Sequence, residues 1–286
     1  MNLTGLALPG DPKQPHDGAL QFSTFDAALV NPHLTDDDDS PVGSSVRRQL
    51  LEQYPWVAFL LPLIMFSLVG TLEATERSGA TFFGLIRYEY YPVVYTFKIL
   101  ITTLALIFVW PAYGVFRLRV SPLAVGVGVV GVVLWVALVR LGLEQMLPIG
   151  WLTSQGERVA YNPLEALRHR PMLAYAFLAV RFFGLAVVIA VAEEMFLRGF
   201  LIRYVEAADR WSTLPIGQAG WPALIAGTVF PMVMHPGELF AALVWFSLVS
   251  WLMLRTRNIW DCITAHMVTN LLLGIYVIFS GQWQLW

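Results

Sequence analysis

Three groups of polar residues stand where the sequence is otherwise apolar: Glu193-Glu194-Met-Phe-Leu-Arg198, His235 within Phe230-Pro231-Met-Val-Met-His235-Pro236, and Asp261-Cys-Ile-Thr-Ala-His266-Met-Val-Thr-Asn270. Carboxylate, imidazole and amide are the groups that accept, donate and relay protons. On a helix Glu194 and Arg198 are i,i+4 neighbours in the favourable order. Glu193 lies about 100° further round the axis, so one carboxylate is paired and its neighbour faces elsewhere. His266 and Asn270 share a face at i,i+4, and Cys262 extends that stripe by one turn. Pro236 disfavours helical backbone at His235, which places that side chain at a helix end or break. Such a set can activate water, carry protons for a transporter, hold a zinc ion through Glu193, His235 and His266, or pin helices together as a scaffold.

The elements that must position these residues are membrane spans. The 286 residues are 57% apolar and 13% charged, with a mean hydropathy of +0.62. This composition excludes a soluble globular chain, and the charge balance excludes a nucleic-acid partner. Residues 1–45 hold seven Asp against one Lys, a net of −6 that the rest of the chain offsets with +4. This acidic, Pro/Gly-rich tail is expected to be disordered and cytoplasmic, ahead of a transmembrane domain over 46–286. Seven apolar runs follow, separated by charged or Pro/Gly breaks: Trp56–Leu72, Pro92–Tyr113, Pro122–Leu143, Met172–Tyr204, Trp221–His235, Glu238–Leu254 and Ile259–Phe279. The predicted fold is therefore all-α: a polytopic membrane bundle of seven or eight transmembrane helices around a polar intramembrane cavity.

Aromatic residues near the run ends (Trp56, Tyr113, Trp151, Trp221, Trp260 and Trp283) are expected at the interfaces, and Lys98 is expected to snorkel outward. Arg47/Arg48, Arg117/Arg119, Arg198/Arg203/Arg210 and Arg255/Arg257 fall on one side, which predicts a cytoplasmic N-terminus. Counted at about 1.5 Å per residue, Glu193 lies roughly 15 Å in from Arg203, His266 roughly 14 Å from Arg257, and His235 roughly 21 Å from Trp221. Similar depths on separate spans point to one shared cavity.

The Glu-Glu-x-x-x-Arg motif, a His following an aromatic residue, and His-x-x-x-Asn on a later span resemble the CAAX prenyl protease and bacteriocin-processing family of intramembrane endopeptidases, over residues 172–286. The stretch from His266 to Trp286 resembles the bacterial branch associated with exosortase protein sorting. The resemblance implies a multi-pass protein of the bacterial inner membrane that hydrolyses a membrane-associated protein or peptide substrate without a metal cofactor. It also implies catalytic roles for Glu193, His235, His266 and Asn270, with Glu194 and Arg198 in support. In this scheme Glu193 is the general base, His235 orients the water and returns the proton, and His266 and Asn270 donate to the oxyanion. One position departs from the family pattern: Pro231 stands four residues before His235, where the family has Phe. Cys262, one turn from His266, offers a cysteine-based alternative, set against the inertness of a thiol in apolar surroundings.

Overall fold

The computed structural model describes residues 42–76, 78–81, 83–146 and 160–286. Most of the acidic tail, Trp151, and Glu157 and Arg158 lie outside the described residues. Among the described residues eight helices carry the fold: α1 (Val42–Gln53), α2 (Val57–Gly70), α3 (Tyr91–Val109), α4 (Pro122–Leu141), α5 (Pro171–Glu206), α6 (Trp221–Val233), α7 (Leu239–Thr256) and α8 (Ile259–Ser280). The strands β1 (Ala80–Thr81) and β2 (Ile86–Arg87) form a short antiparallel hairpin between α2 and α3.

Among the described residues, five helices are long and apolar enough to cross a membrane. They are α4, α5, α8 and, with their flanking turns, α3 and α7. This is a multi-pass membrane protein. Each of the seven apolar runs corresponds to a helix, but α6 is a shorter apolar helix, and α2 joins α1 at a bend of 99°. Length and composition thus account for five crossings, or six if the bent pair forms one. Backbone groups in lipid must bond within their own segment, which is why the apolar runs become helices. Pro at the first turn starts α3, α4, α5 and α6, where a missing N–H costs nothing.

Buried polar groups fix the helices that carry the candidate residues. Asp261, 1% exposed, accepts from the Ser121 N–H (2.7 Å) and the Ser121 hydroxyl (3.0 Å), placing a carboxylate at the start of α4. Asn258 caps α8 through the Trp260 N–H (3.1 Å) and donates to the Arg119 carbonyl (2.7 Å). These bonds tie the start of α8 to that of α4. At the other membrane face, the Glu144 carboxylate accepts from the Phe240 N–H at the start of α7 (3.1 Å).

Further along, α4 and α8 pack backbone to backbone. A Cβ on Gly128 would lie 2.6 Å from Val268 Cβ and 2.8 Å from the Ala265 carbonyl oxygen. Only glycine permits that approach, and it lets the Thr269 hydroxyl reach the Gly128 carbonyl at 2.9 Å.

Two expectations about surface residues are corrected. Tyr113 and Trp283 face inward, at 1% and 8% exposed, and the Tyr113 hydroxyl donates to the Ala58 carbonyl at 2.6 Å. Lys98 does not snorkel. It is 4% exposed, and its Nζ lies 2.6 Å from Glu73 Oε1, because the segment after α2 turns back into the bundle and brings a carboxylate to it.

Candidate active site

The helix bearing the adjacent glutamates is irregular on both sides of them. Within α5, Gly184–Ile189 and Met195–Leu201 are π-helical and flank the α-helical Ala190–Glu194. Single π turns inside α-helices recur at functional sites, and their wider i→i+5 ladder loosens the hold on backbone carbonyls. In the first of these segments the Leu185 carbonyl accepts a hydrogen bond from Asn270 Nδ2 of α8, at 2.8 Å.

A cavity of about 450 Å³ lies against this helix, lined among others by Glu193 of α5, His235 beyond the end of α6, and His266 and Asn270 of α8. Three separate elements therefore deliver the four residues to one space. His235 stands outside α6, at φ −124° and ψ 59°, as Pro236 requires.

The two glutamates divide as their positions on the helix dictate. The Glu194 side chain is fully buried: Oε1 accepts from Arg198 Nη1 and from His266 Nδ1, both at 3.0 Å. Arg198, likewise fully buried, also donates to the Phe246 carbonyl at 3.2 Å. The Glu193 side chain is 21% exposed, with Oε2 3.8 Å from His266 Nε2. His266 thus bridges the carboxylates. Because Nδ1–H is directed at Glu194, Nε2 is the nitrogen turned to Glu193 and the cavity. It is a donor when the ring is imidazolium and an acceptor when it is neutral.

His235 is oriented the same way by a different partner. A carbonyl oxygen only accepts, so the 2.7 Å contact between Nδ1 and the Pro231 carbonyl fixes the proton on Nδ1. The residue at the departing position therefore orients His235 through its backbone. The aromatic packing comes from elsewhere: Trp135 (5.8 Å between ring centroids) and Phe246 (5.6 Å) flank the imidazole, while Phe230 packs on Phe196 (5.1 Å).

Trp245 lies edge-on to His266 at 4.5 Å, and its indole N–H donates to Thr269 Oγ1 at 3.1 Å. A Cβ on Gly131 would lie 2.7 Å from that indole nitrogen, so the close contact of α4 with α8 also seats the tryptophan. Composition gives no sign of these supports, since Trp135 and Trp245 read as ordinary apolar residues of their spans. Arg181 is different. It interrupts the Met172–Tyr204 run as plainly as Glu193 does, and the cost of a charge at membrane depth would have marked it. It is 1% exposed and lines the same cavity, as do Glu73 and Lys98.

Cys262 does not share the stripe of His266 and Asn270. It is fully buried outside the cavity lining, with Sγ 3.7 Å from the Asn258 carbonyl and 4.0 Å from that of Val249. Four-residue steps drift by about 40° each on an α-helix, which is enough to turn the thiol away from Asn270's face. Among the described residues no group of three or more His, Cys, Asp or Glu side chains is placed to hold a metal ion.

No curated protein and no solved structure matches this chain. Residues 175–272 match the family described as type II CAAX prenyl endopeptidase Rce1-like, a segment that contains Glu193, Glu194, Arg198, His235, His266 and Asn270. Over that segment the chain is similar to the CAAX protease family of membrane endopeptidases.

Proposed function

We propose that this protein hydrolyses a peptide bond of a membrane-associated protein or peptide by metal-free, glutamate-activated water. The observation that carries the reading is the convergence of Glu193, His235, His266 and Asn270 on one cavity. Glu193 takes a proton from the water. His235, with its Nδ1–H held by the Pro231 carbonyl, orients that water by accepting from it at Nε2, and Nε2 then takes up the proton held by Glu193 and passes it to the leaving amine. His266 in its imidazolium form donates Nε2–H to the oxyanion, while Glu194 holds the opposite side of the ring. Asn270 spends one N–H on the Leu185 carbonyl and has a second for the oxyanion. Glu194 and Arg198 hold the frame.

The carboxyl-terminal sequence supports a role in bacterial exosortase-associated sorting, and the arginine distribution supports insertion in the inner membrane with the N-terminus cytoplasmic. The protein, purified and incubated with a library of apolar peptides in lipid nanodiscs, is expected to yield discrete cleavage products by mass spectrometry. His266→Ala and Asn270→Ala should each lower turnover on the order of a hundredfold. Proton-linked solute uptake into proteoliposomes, lost in Glu193→Gln and unaccompanied by cleavage, would instead establish a transporter. Absence of both activities would leave a scaffold.

A further inference from the structure

Helix α1 contributes nothing to the cavity. Its 12 residues, about 18 Å, are too few to cross a bilayer, and it meets α2 at a bend of 99°. The bend lies where a crossing helix ends. The apolar span that contains α3 stops at Val115, and the end of that span is fastened to the start of α2, which packs along α3. The Tyr113 hydroxyl donates to the Ala58 carbonyl, and Phe59 packs on Tyr113 (5.8 Å between centroids) and Phe116 (6.2 Å). A helix that leaves this point at about a right angle to α2 runs along the membrane surface.

The side chains of α1 suit that position. Val46 and Leu50 are exposed, as is Tyr54 just beyond the helix, and at 100° per residue the three fall within about 80° of one another. Leu51 adjoins them and packs against the core. Arg48 and Glu52 are exposed on the opposite side. A helix with one apolar and one charged face, lying in the plane of a bilayer, sinks its apolar side to the boundary of headgroups and acyl chains.

A second segment at the same end has the same mixture. Between Phe116 and Ser121, both in extended backbone, Arg117, Leu118, Arg119 and Val120 are all exposed. The backbone here is held from behind, by the Trp260 indole N–H at the Phe116 carbonyl (2.9 Å) and by Asn258 Nδ2 at the Arg119 carbonyl (2.7 Å). The alternating basic and apolar side chains therefore stand on a fixed edge of the bundle.

Among the described residues Arg47, Arg48, Arg117 and Arg119 pair with no Asp or Glu, and the one acid on α1 is Glu52. Water would satisfy these arginines but not Val46, Leu50, Leu118 and Val120. Acyl chains would satisfy the apolar groups but not the arginines. A phospholipid with an anionic headgroup satisfies both, its phosphate meeting the guanidinium groups and its chains the apolar side.

We propose that α1 and the 116–121 segment form a headgroup-binding surface for anionic phospholipid, with α1 embedded at the level of the phosphates. The proposal does not depend on the peptidase reading.

The full chain, purified in an uncharged detergent, is titrated with phosphatidylglycerol or phosphatidylcholine while Tm is followed. Half-maximal stabilisation should need at least about tenfold less phosphatidylglycerol, and high salt should shrink the difference. Arg47→Gln, Arg48→Gln, Arg117→Gln and Arg119→Gln together should reduce it to less than about twofold. A basic residue beside an anionic leaflet is worth roughly fivefold in affinity, so Arg117→Gln with Arg119→Gln alone should already lower it several-fold, which keeps the test decisive if the larger variant does not fold. Arg168→Gln with Arg170→Gln, ahead of α5 at the opposite membrane face, should leave the difference unchanged. In phosphatidylglycerol nanodiscs a nitroxide at position 50 (Leu50→Cys on Cys262→Ala) should be reached by oxygen in preference to an aqueous nickel chelate, and one at position 52 (Glu52→Cys) the reverse.

Equal titrations with the two lipids, a difference that survives both variants of the four arginines, or one lost equally in the Arg168/Arg170 variant overturns the headgroup surface. A nitroxide at position 50 that meets water overturns the embedding of α1. A preference for phosphatidylglycerol that appears only after Asp36, Asp37, Asp38 and Asp39 are changed to Asn also overturns the proposal, because the acidic tail would then be the occupant of the arginines.

Discussion

Glu193→Gln is expected to lower peptide-bond hydrolysis by roughly 10²- to 10⁴-fold, the usual worth of a positioned general base, while the protein folds and unfolds much as before. The amide keeps the shape of the side chain but cannot take up the proton. Glu193 is the partly exposed member of the adjacent pair, and its Oε2 lies 3.8 Å from His266 Nε2, beyond hydrogen-bond distance, so the substitution removes no short contact of that imidazole. The measurements are the turnover rate and the Tm of matched preparations. Near-native turnover in a well-folded Glu193→Gln protein would remove the base assignment.

Arg198→Ala should behave in the opposite way, with stability falling first. The Arg198–Glu194 pair is fully buried and closed by the Phe246 carbonyl and the His266 imidazole. Removing the arginine leaves a carboxylate uncompensated inside the protein, a change that typically costs about 3–5 kcal/mol. Chemical denaturation in mild detergent should show that loss. Turnover should fall as well, because Glu194 orients the ring that faces Glu193. A stability change of less than about 1 kcal/mol would mean that the pair is hydrated, contrary to its burial.

The sequence was most informative where the membrane imposes strict rules. Apolar runs between charged breaks had to become helices, so all seven have counterparts, and the shortness of α6 was visible in its fifteen-residue run ending at a proline-flanked histidine. The separation of Glu193 from Glu194 and the Glu194–Arg198 pairing followed from helical angles alone. The π segments were not legible, because a widened turn is set by packing and has no residue signature. Their effect on the α5 face that meets the cavity was hidden with them. Lys98 was misread because an end-of-span lysine snorkels unless a partner folds back, and Glu73 does so from a segment that composition cannot place. Cys262 was misread by treating four-residue spacing as exact alignment when each step drifts.

The most direct test of the central claim asks whether water itself attacks the peptide bond. Peptide cleavage is run in ¹⁸O-water with hydroxylamine present, and the new carboxyl terminus is examined by mass spectrometry in the parent chain and in Cys262→Ala. The account predicts carboxylate products carrying ¹⁸O, no hydroxamate, and equal rates in the two proteins. A hydroxamate product that disappears along with activity in a stable Cys262→Ala protein would contradict it, since that result requires an acyl-enzyme on the cysteine.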